Sequence, residues 1–148
     1  DANEMVLVEQ YRVPVRGRVI ELVAGIVGDD PNQPAEAPAN AALRELEEEA
    51  GFRAERVELL LEGPVAPGLA NEHMTLWRAI GLTRVGDGGG LAAEHEHITV
   101  HLVPLGEVIA FLAERQRAGI QVDSRVYTGL YFIGAAALAA APQPSSAA

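Results

Sequence analysis

Residues 44–52 read RELEEEAGF and place four glutamates on neighbouring turns of a predicted helix. Glutamates at i,i+4 spacing repel each other by about 0.2–0.5 kcal/mol per pair, so we expect a positive charge nearby to offset them. Glu45 and Glu49 share one face of that helix, and Glu48 lies beside them. Either Arg44 alone balances a solvated acidic face, or the carboxylates bind a metal ion, since Mg²⁺ prefers carboxylate oxygens.

The residues that flank this stretch define the helix that carries it. From residue 39 onward, alanine and leucine recur at spacings of three, four and seven, which gives one apolar face. Gly51 suits the left-handed position that ends a helix. The preceding segment, DDPNQPAEAP at residues 29–38, is rich in turn formers and predicts a loop.

The rest of the chain predicts a mixed α/β protein of the α+β type. Strands are expected at residues 4–13, 17–28, 56–67, 72–85 and 96–105, helices at 106–119 and 123–141, and a flexible glycine-rich break at 86–90. Asp123 or Ser124 is suited to cap the last helix. Because strands and helices do not alternate regularly, we expect a mixed sheet with helices on both faces. A single domain is expected over residues 1–141, with a polar tail at 142–148.

Composition excludes several classes of function. The 148 residues carry a net charge of −10, and such a chain lacks the basic surface that nucleic-acid binding requires. The sequence has no apolar run long enough to cross a membrane, and because residues 1–12 lack a basic flank and a following apolar core, no signal peptide is expected there. It has no cysteine, which fits a reducing compartment. We therefore expect a cytoplasmic protein without membrane or nucleic-acid partners.

The acidic helix resembles a known family motif. Residues 44–52 match the core of the Nudix box, Arg-Glu-apolar-x-Glu-Glu-x-Gly-apolar, and Glu36 stands at the motif's earlier glutamate. The family's preceding glycine is replaced by Asp30, and Gly25 is the best substitute. This substitution implies about five extra residues in the loop, an insertion that surface loops tolerate. The sequence therefore resembles the Nudix hydrolases, whose fold is an α/β/α sandwich around a mixed sheet.

The resemblance implies roles for the helix residues. In Nudix enzymes the helix glutamates bind Mg²⁺ or Mn²⁺, so Glu45 and Glu49 are the expected main ligands and Glu48 assists. Arg44 would orient a glutamate through a salt bridge. Arg44 could equally be a simple i,i+4 partner of Glu48, and the two interpretations are compatible.

Three further segments resemble the ADP-ribose pyrophosphatase branch of that family. EQYRVPV resembles its Gln-aromatic-Arg strand, and ELVAGIV resembles its Glu-x-Pro-Ala-Gly segment with Val23 in place of proline. APGLANEHMTLWRA resembles its Pro-Gly-x-x-x-Glu loop. The resemblance implies substrate contacts from Arg12, Glu21 and Glu72 and a metal contact from the carbonyl of Ala24.

A late segment, GGGLAAEHEHITVHLVPL, resembles the branch's catalytic loop and strand. The resemblance implies that Glu94 is the base that deprotonates water and that Glu96 is a further metal ligand. A base on a glycine-rich loop could move in after the substrate binds. The alternative is a zinc site built from His95, His97 and His101, although nearby carboxylates favour Mg²⁺.

The implied function is Mg²⁺-dependent hydrolysis of ADP-ribose to AMP and ribose 5-phosphate. GDP-mannose or another nucleotide sugar is an alternative substrate, and a non-catalytic Nudix module that binds a nucleotide or a protein is an alternative function. This branch carries another strand before VLVEQYR, and often an N-terminal subdomain exchanged between two subunits. Either the domain is trimmed or that strand lies outside this sequence, and a homodimer is a candidate assembly.

Overall fold

The computed structural model describes residues 3–29, 32, 34–90 and 97–140, with side chains in the last helix described as far as Gly134. The strands are β1 (Glu4–Arg12), β2 (Gly17–Glu21), β3 (Phe52–Arg53), β4 (Arg56–Pro64), β5 (His73–Ile80), β6 (Thr83–Arg84), β7 (Thr99–Pro104) and β8 (Gln121–Val122). The helices are α1 (Pro38–Ala50), α2 (Val108–Arg117) and α3 (Ser124–Ala140). No helix in these ranges is both long and apolar enough to cross a bilayer. The polar tail expected at residues 142–148 lies outside the described residues.

The main sheet has the strand order β7-β1-β2-β8. Strand β1 pairs antiparallel with β2 and β7, whereas β2 pairs in parallel with β8. Strands β4 and β5 form a separate antiparallel hairpin, and the short strands β3 and β6 pair with each other. The predicted mixed sheet is therefore confirmed.

Helices cover both faces of this sheet. Leu7 and Ile20 are fully buried on one face, in a cluster with Val108 and Leu112 of α2 and Val126 of α3. Because side chains alternate along a strand, Val8 points to the opposite face, where α1 contacts β1. The buried apolar residues of α1 are Ala41, Leu46 and Ala50. The layer order is the α/β/α arrangement expected from the sequence.

Two strand predictions were too long. Residues 72–85 do not form one strand, because Gly81 adopts a φ of +70° and separates β5 from β6. Strand β2 ends at Glu21 rather than near residue 28. Beyond it, the backbone N–H of Ala24 donates to the Glu49 carboxylate of α1 (3.0 Å) instead of pairing with a neighbouring strand.

The glycine-rich stretch at residues 86–90 forms no helix or strand, as predicted, and it is docked onto the end of α1. Its expected flexibility stays a prediction. Helix α1 ends where expected, at Gly51 with a φ of 73°. The N–H of Gly89 donates to the carbonyl of Glu49 (2.8 Å), and that of Gly90 to the carbonyl of Glu48 (3.2 Å). These bonds satisfy carbonyls that the end of a helix leaves without internal partners. A Cβ on Gly88 would lie 2.5 Å from the Glu49 carbonyl oxygen, so this close approach requires glycine.

Candidate active site

Arg44 is the centre of the acidic cluster on α1. Its guanidinium forms ion pairs with four carboxylates: Asp29 at 2.8 Å, Glu36 at 3.2 Å, Glu45 at 2.8 Å and Glu48 at 3.0 Å. The hydrogen bond with Glu36 is the largest cause of a pKa of Arg44 well above its ordinary value. Arg44 therefore makes both expected ion pairs, one with Glu45 and one with its i,i+4 neighbour Glu48, whereas its role in orienting a metal ligand stays a prediction.

Glu45 and Glu49 lie together against the backbone that follows β2. Glu45 is 9% exposed and Glu49 is 2% exposed, and such burial is unusual for glutamate. One oxygen of Glu49 accepts the Ala24 N–H, and a Cβ built on Gly25 would lie only 2.0 Å from Oε1 of Glu45. The structure thus brings the three described residues expected to bind metal, Glu45, Glu49 and Ala24, into one place.

Burial makes the charged form of Glu45 less favourable. Burial raises the pKa of Glu45 to about 7, although Arg44 acts in the opposite direction. A buried carboxylate is stabilised by a nearby cation, and all the donors here are hard oxygens of the kind that Mg²⁺ and Mn²⁺ prefer. The residues present therefore fit a divalent cation of this class.

The predicted ligand set is not complete within the part of the chain that the structure describes. In those ranges no three Asp, Glu, His or Cys side chains are arranged to hold a metal ion. Glu94, His95 and Glu96 lie outside the described residues, so their roles stay predictions. The described ends of their loop are anchored at α1, because Gly90 bonds to Glu48 and the N–H of Ile98 donates to the carbonyl of Gly89 (3.1 Å).

The alternative zinc site gains no support from the described histidines. His97 is exposed. His101 lies on the sheet face that α2 covers, where its Nε2 is 3.0 Å from Oε2 of Glu9 and its ring contacts Phe111. Glu9 also accepts a hydrogen bond from Arg18. His101 thus belongs to a buried polar group on the side of the sheet opposite α1.

The three residues expected to contact substrate share a second cavity. Nε of Arg12 donates to both carboxylate oxygens of Glu21, at 2.9 and 3.2 Å. These two residues and Glu72 line a cleft of about 550 Å³. Ala24 and Gly25 line this cleft and also the cavity that contains Glu45. The predicted substrate and metal residues are therefore contiguous.

Sequence reasoning missed two charged residues of this region. Asp29 pairs with Arg44, but no spacing rule marks a single aspartate in a loop as a partner. Arg125 lines the same cleft as Arg12. The only signal in the sequence is its position two residues after Asp123, one of the two residues predicted to cap α3. Asp123 accepts the backbone N–H of Arg125 at 2.7 Å.

Residues 1–122 match the sequence model of the NUDIX domain. The chain belongs to the Nudix family. Among curated relatives, the methanol dehydrogenase activator of Bacillus methanolicus is 35% identical over 114 residues, which cover 77% of this chain and 58% of that protein. The ADP-ribose pyrophosphatase of Mycobacterium tuberculosis is 31% identical over 137 residues, covering 91% of this chain and 61% of that protein. The ADP-ribose pyrophosphatase of Bacillus subtilis is 28% identical over 116 residues, 78% of this chain and 60% of that protein.

The chain therefore spans about three fifths of the length of these curated relatives. A solved structure described as an ADP compounds hydrolase superimposes with a TM-score of 0.59 at 23% identity, over 74% of this chain and 57% of that one. This likeness confirms the Nudix fold. The similarity to ADP-ribose pyrophosphatases, expected from three short segments, is also confirmed.

Proposed function

We propose that this Nudix domain catalyses Mg²⁺-dependent hydrolysis of the pyrophosphate bond of a nucleoside diphosphate sugar, with ADP-ribose as the first candidate. Water would add to one phosphorus, the bridging P–O bond would break, and AMP and ribose 5-phosphate would leave. The observation that carries the proposal is the pair of buried carboxylates, Glu45 and Glu49, against residues 24–25. That backbone also borders the cleft of Arg12 and Glu21.

Each residue has a separate task in this proposal. Glu45, Glu49, Glu96 and the Ala24 carbonyl would hold the metal, with Glu48 assisting. A bound Mg²⁺ would polarise phosphoryl oxygens and offset their charge. Arg12 would contact a substrate phosphate, and the hydrogen bonds from its Nε to both carboxylate oxygens of Glu21 fix its direction. Glu72, on the same cleft, would contact the substrate.

The general base is proposed to be Glu94, on the basis of family resemblance. Supporting this, Gly89 and Gly90, before its loop, bond to the carbonyls of Glu49 and Glu48, and Ile98, after it, bonds to the carbonyl of Gly89. The role of Glu94 and the glycine hinge both stay predictions.

Two alternatives have specific support. A GDP-mannose pyrophosphatase of Pectobacterium atrosepticum is 29% identical over 114 residues, so GDP-mannose is the rival substrate. The relative named as an activator of methanol dehydrogenase makes a protein-binding role the rival function. The full set of helix glutamates favours catalysis, since a binding module has no need to keep buried carboxylates together. A cytoplasmic location, a single domain, a homodimer and the absence of nucleic-acid or membrane partners stay predictions.

A product assay tests the proposal. The protein is incubated with ADP-ribose, other ADP-sugars and GDP-mannose, each with Mg²⁺ and with excess EDTA, and the products are identified by chromatography and mass spectrometry. We expect nucleoside monophosphate and sugar phosphate in equal amounts, with Mg²⁺ only. A folded protein that cleaves none of these substrates would contradict the proposal and favour the binding module.

A further inference from the structure

The cleft that Arg12 lines contains a second arginine, which lies beyond the residues matched by the family model. The match ends at residue 122, and Arg125 follows it on the first turn of α3. Arg125 nevertheless lines both the cleft of Arg12 and the cavity of Glu45. Its side chain is 34% exposed, so it is accessible from the cleft. We propose that Arg125 binds substrate together with Arg12, as a pair of arginines that holds the sugar-phosphate half.

Asp123 fixes the direction of the Arg125 guanidinium. Nε of Arg125 lies 2.9 Å from both carboxylate oxygens of Asp123, and Nη2 donates to Oδ2. The same carboxylate accepts the backbone N–H of Arg125 and so ties the side chain to the start of α3. A guanidinium has five donors in a planar fork, and those that Asp123 does not engage can bind a phosphate. Such a preoriented fork loses little freedom on binding.

The charges of the cleft select the kind of ligand. Two arginines share it with three carboxylates: Glu21, Glu72 and Asp123. Both Glu21 and Glu72 act on Arg125 electrostatically and raise its pKa, after the larger effect of the Asp123 hydrogen bond. A bare anion would meet repulsion from these carboxylates. A sugar phosphate can instead present its phosphate to the guanidinium groups and its hydroxyl groups to the carboxylates, which accept hydrogen bonds.

The size of the cleft agrees with this ligand. Its volume of about 550 Å³ lies within the usual range of small-molecule sites. Its border with residues 24–25 places the ligand beside the proposed metal ligands. The inference rests on the proposed function for the identity of the whole substrate, but the binding of a sugar phosphate can be measured without any reaction.

The first test measures the binding of ribose 5-phosphate, without metal, by isothermal titration calorimetry. We expect Arg125→Ala to weaken binding about 10- to 100-fold, the usual loss for a hydrogen bond to a charged group, and Arg125→Lys to recover part of it. The matched control is Arg117→Ala, which removes the same charge from an arginine that bonds to Ala113 of its own helix. No binding by the wild type at millimolar ligand, or equal affinity in Arg125→Ala, would overturn the inference.

A second test separates substrate binding from a purely structural role at the start of α3. With the nucleotide sugar that the wild type cleaves, Arg125→Ala should raise KM about 10- to 100-fold with little change in kcat, because a phosphate contact is made in the ground state and the transition state alike. A lower melting temperature with unchanged KM would overturn the inference in favour of helix capping. If ribose 5-phosphate binds through Arg125 but no nucleotide sugar is cleaved, only the proposed function fails.

Discussion

Replacing Gly25 by alanine should disturb the proposed metal site without unfolding the protein. An added Cβ would lie 2.0 Å from Oε1 of Glu45 and 2.1 Å from its Cδ. Ordinary contacts begin near 3.4 Å, so the carboxylate would have to retreat by about 1.4 Å. A misplacement of about 1 Å in a catalytic group can cost roughly 10²-fold in rate. We therefore expect kcat/KM to fall by about that factor and Mn²⁺ to bind more weakly.

The assay compares Gly25→Ala with Gly106→Ala in the turn before α2, where an added Cβ would meet nothing within 4 Å. Both variants are checked for folding by circular dichroism, and Mn²⁺ affinity is measured by calorimetry alongside steady-state kinetics. The control should behave as the wild type. If Gly25→Ala keeps both metal affinity and kcat/KM within twofold of the wild type, the placement of Glu45 against this glycine has no functional meaning.

Four further predictions concern other groups of the site. Arg12→Ala should raise KM for ADP-ribose with little change in kcat, since its phosphate contact is not specific to the transition state. An unchanged KM in initial-rate measurements would mean that Arg12 has only a structural role, as the ion-pair partner of Glu21. Mn²⁺ affinity, measured by calorimetry, should rise as the pH is raised through about 7. Burial raises the pKa of Glu45 to about 7, and below that pH its proton competes with the metal. This pH dependence of the affinity should disappear in Glu45→Gln. Without metal, the stability of the fold should fall as the pH rises from 4.5 to about 7. In that range Glu45 keeps its proton in the folded protein but loses it in the unfolded chain. Thermal melts of the metal-free protein measure this change. Glu94→Gln should lower kcat by about 10²–10⁴-fold while the Mn²⁺-induced rise in melting temperature survives; near-full activity would exclude Glu94 as the base.

Local features of α1 could be read from the sequence because they depend on neighbours along the chain. Its apolar periodicity gave the helix, and Gly51 marked its end, to within one residue of Pro38–Ala50. The pairing of Arg44 with Glu48 follows from helical spacing alone. The burial of Glu45 and Glu49 against residues 24–25 could be anticipated only through the family resemblance.

Features that depend on distant contacts could not be read in the same way. The glycines at residues 86–90 suggested flexibility, yet the N–H groups of Gly89 and Gly90 are bonded to the end of α1. Likewise, nothing near Arg125 in sequence reveals that it shares a cleft with Arg12, because only the pairing of β1 with β2 and of β2 with β8 in the folded sheet brings the two together. A glycine can act as a flexible hinge or allow two backbones to approach closely, and the contacts it makes in the folded protein determine which of these occurs.

The central claim, that buried glutamates of α1 bind the catalytic metal, is tested most directly by two substitutions on the same helix. Glu49→Gln removes the charge of a residue that is 2% exposed, whereas Glu47→Gln removes it from an exposed residue paired with Arg53. Mn²⁺ affinity and Mg²⁺-dependent cleavage of ADP-ribose are measured for both. We predict that Glu49→Gln binds Mn²⁺ at least tenfold more weakly, loses activity and recovers part of it in excess Mn²⁺, whereas Glu47→Gln matches the wild type. Equal metal affinity and activity in the two variants would contradict the account.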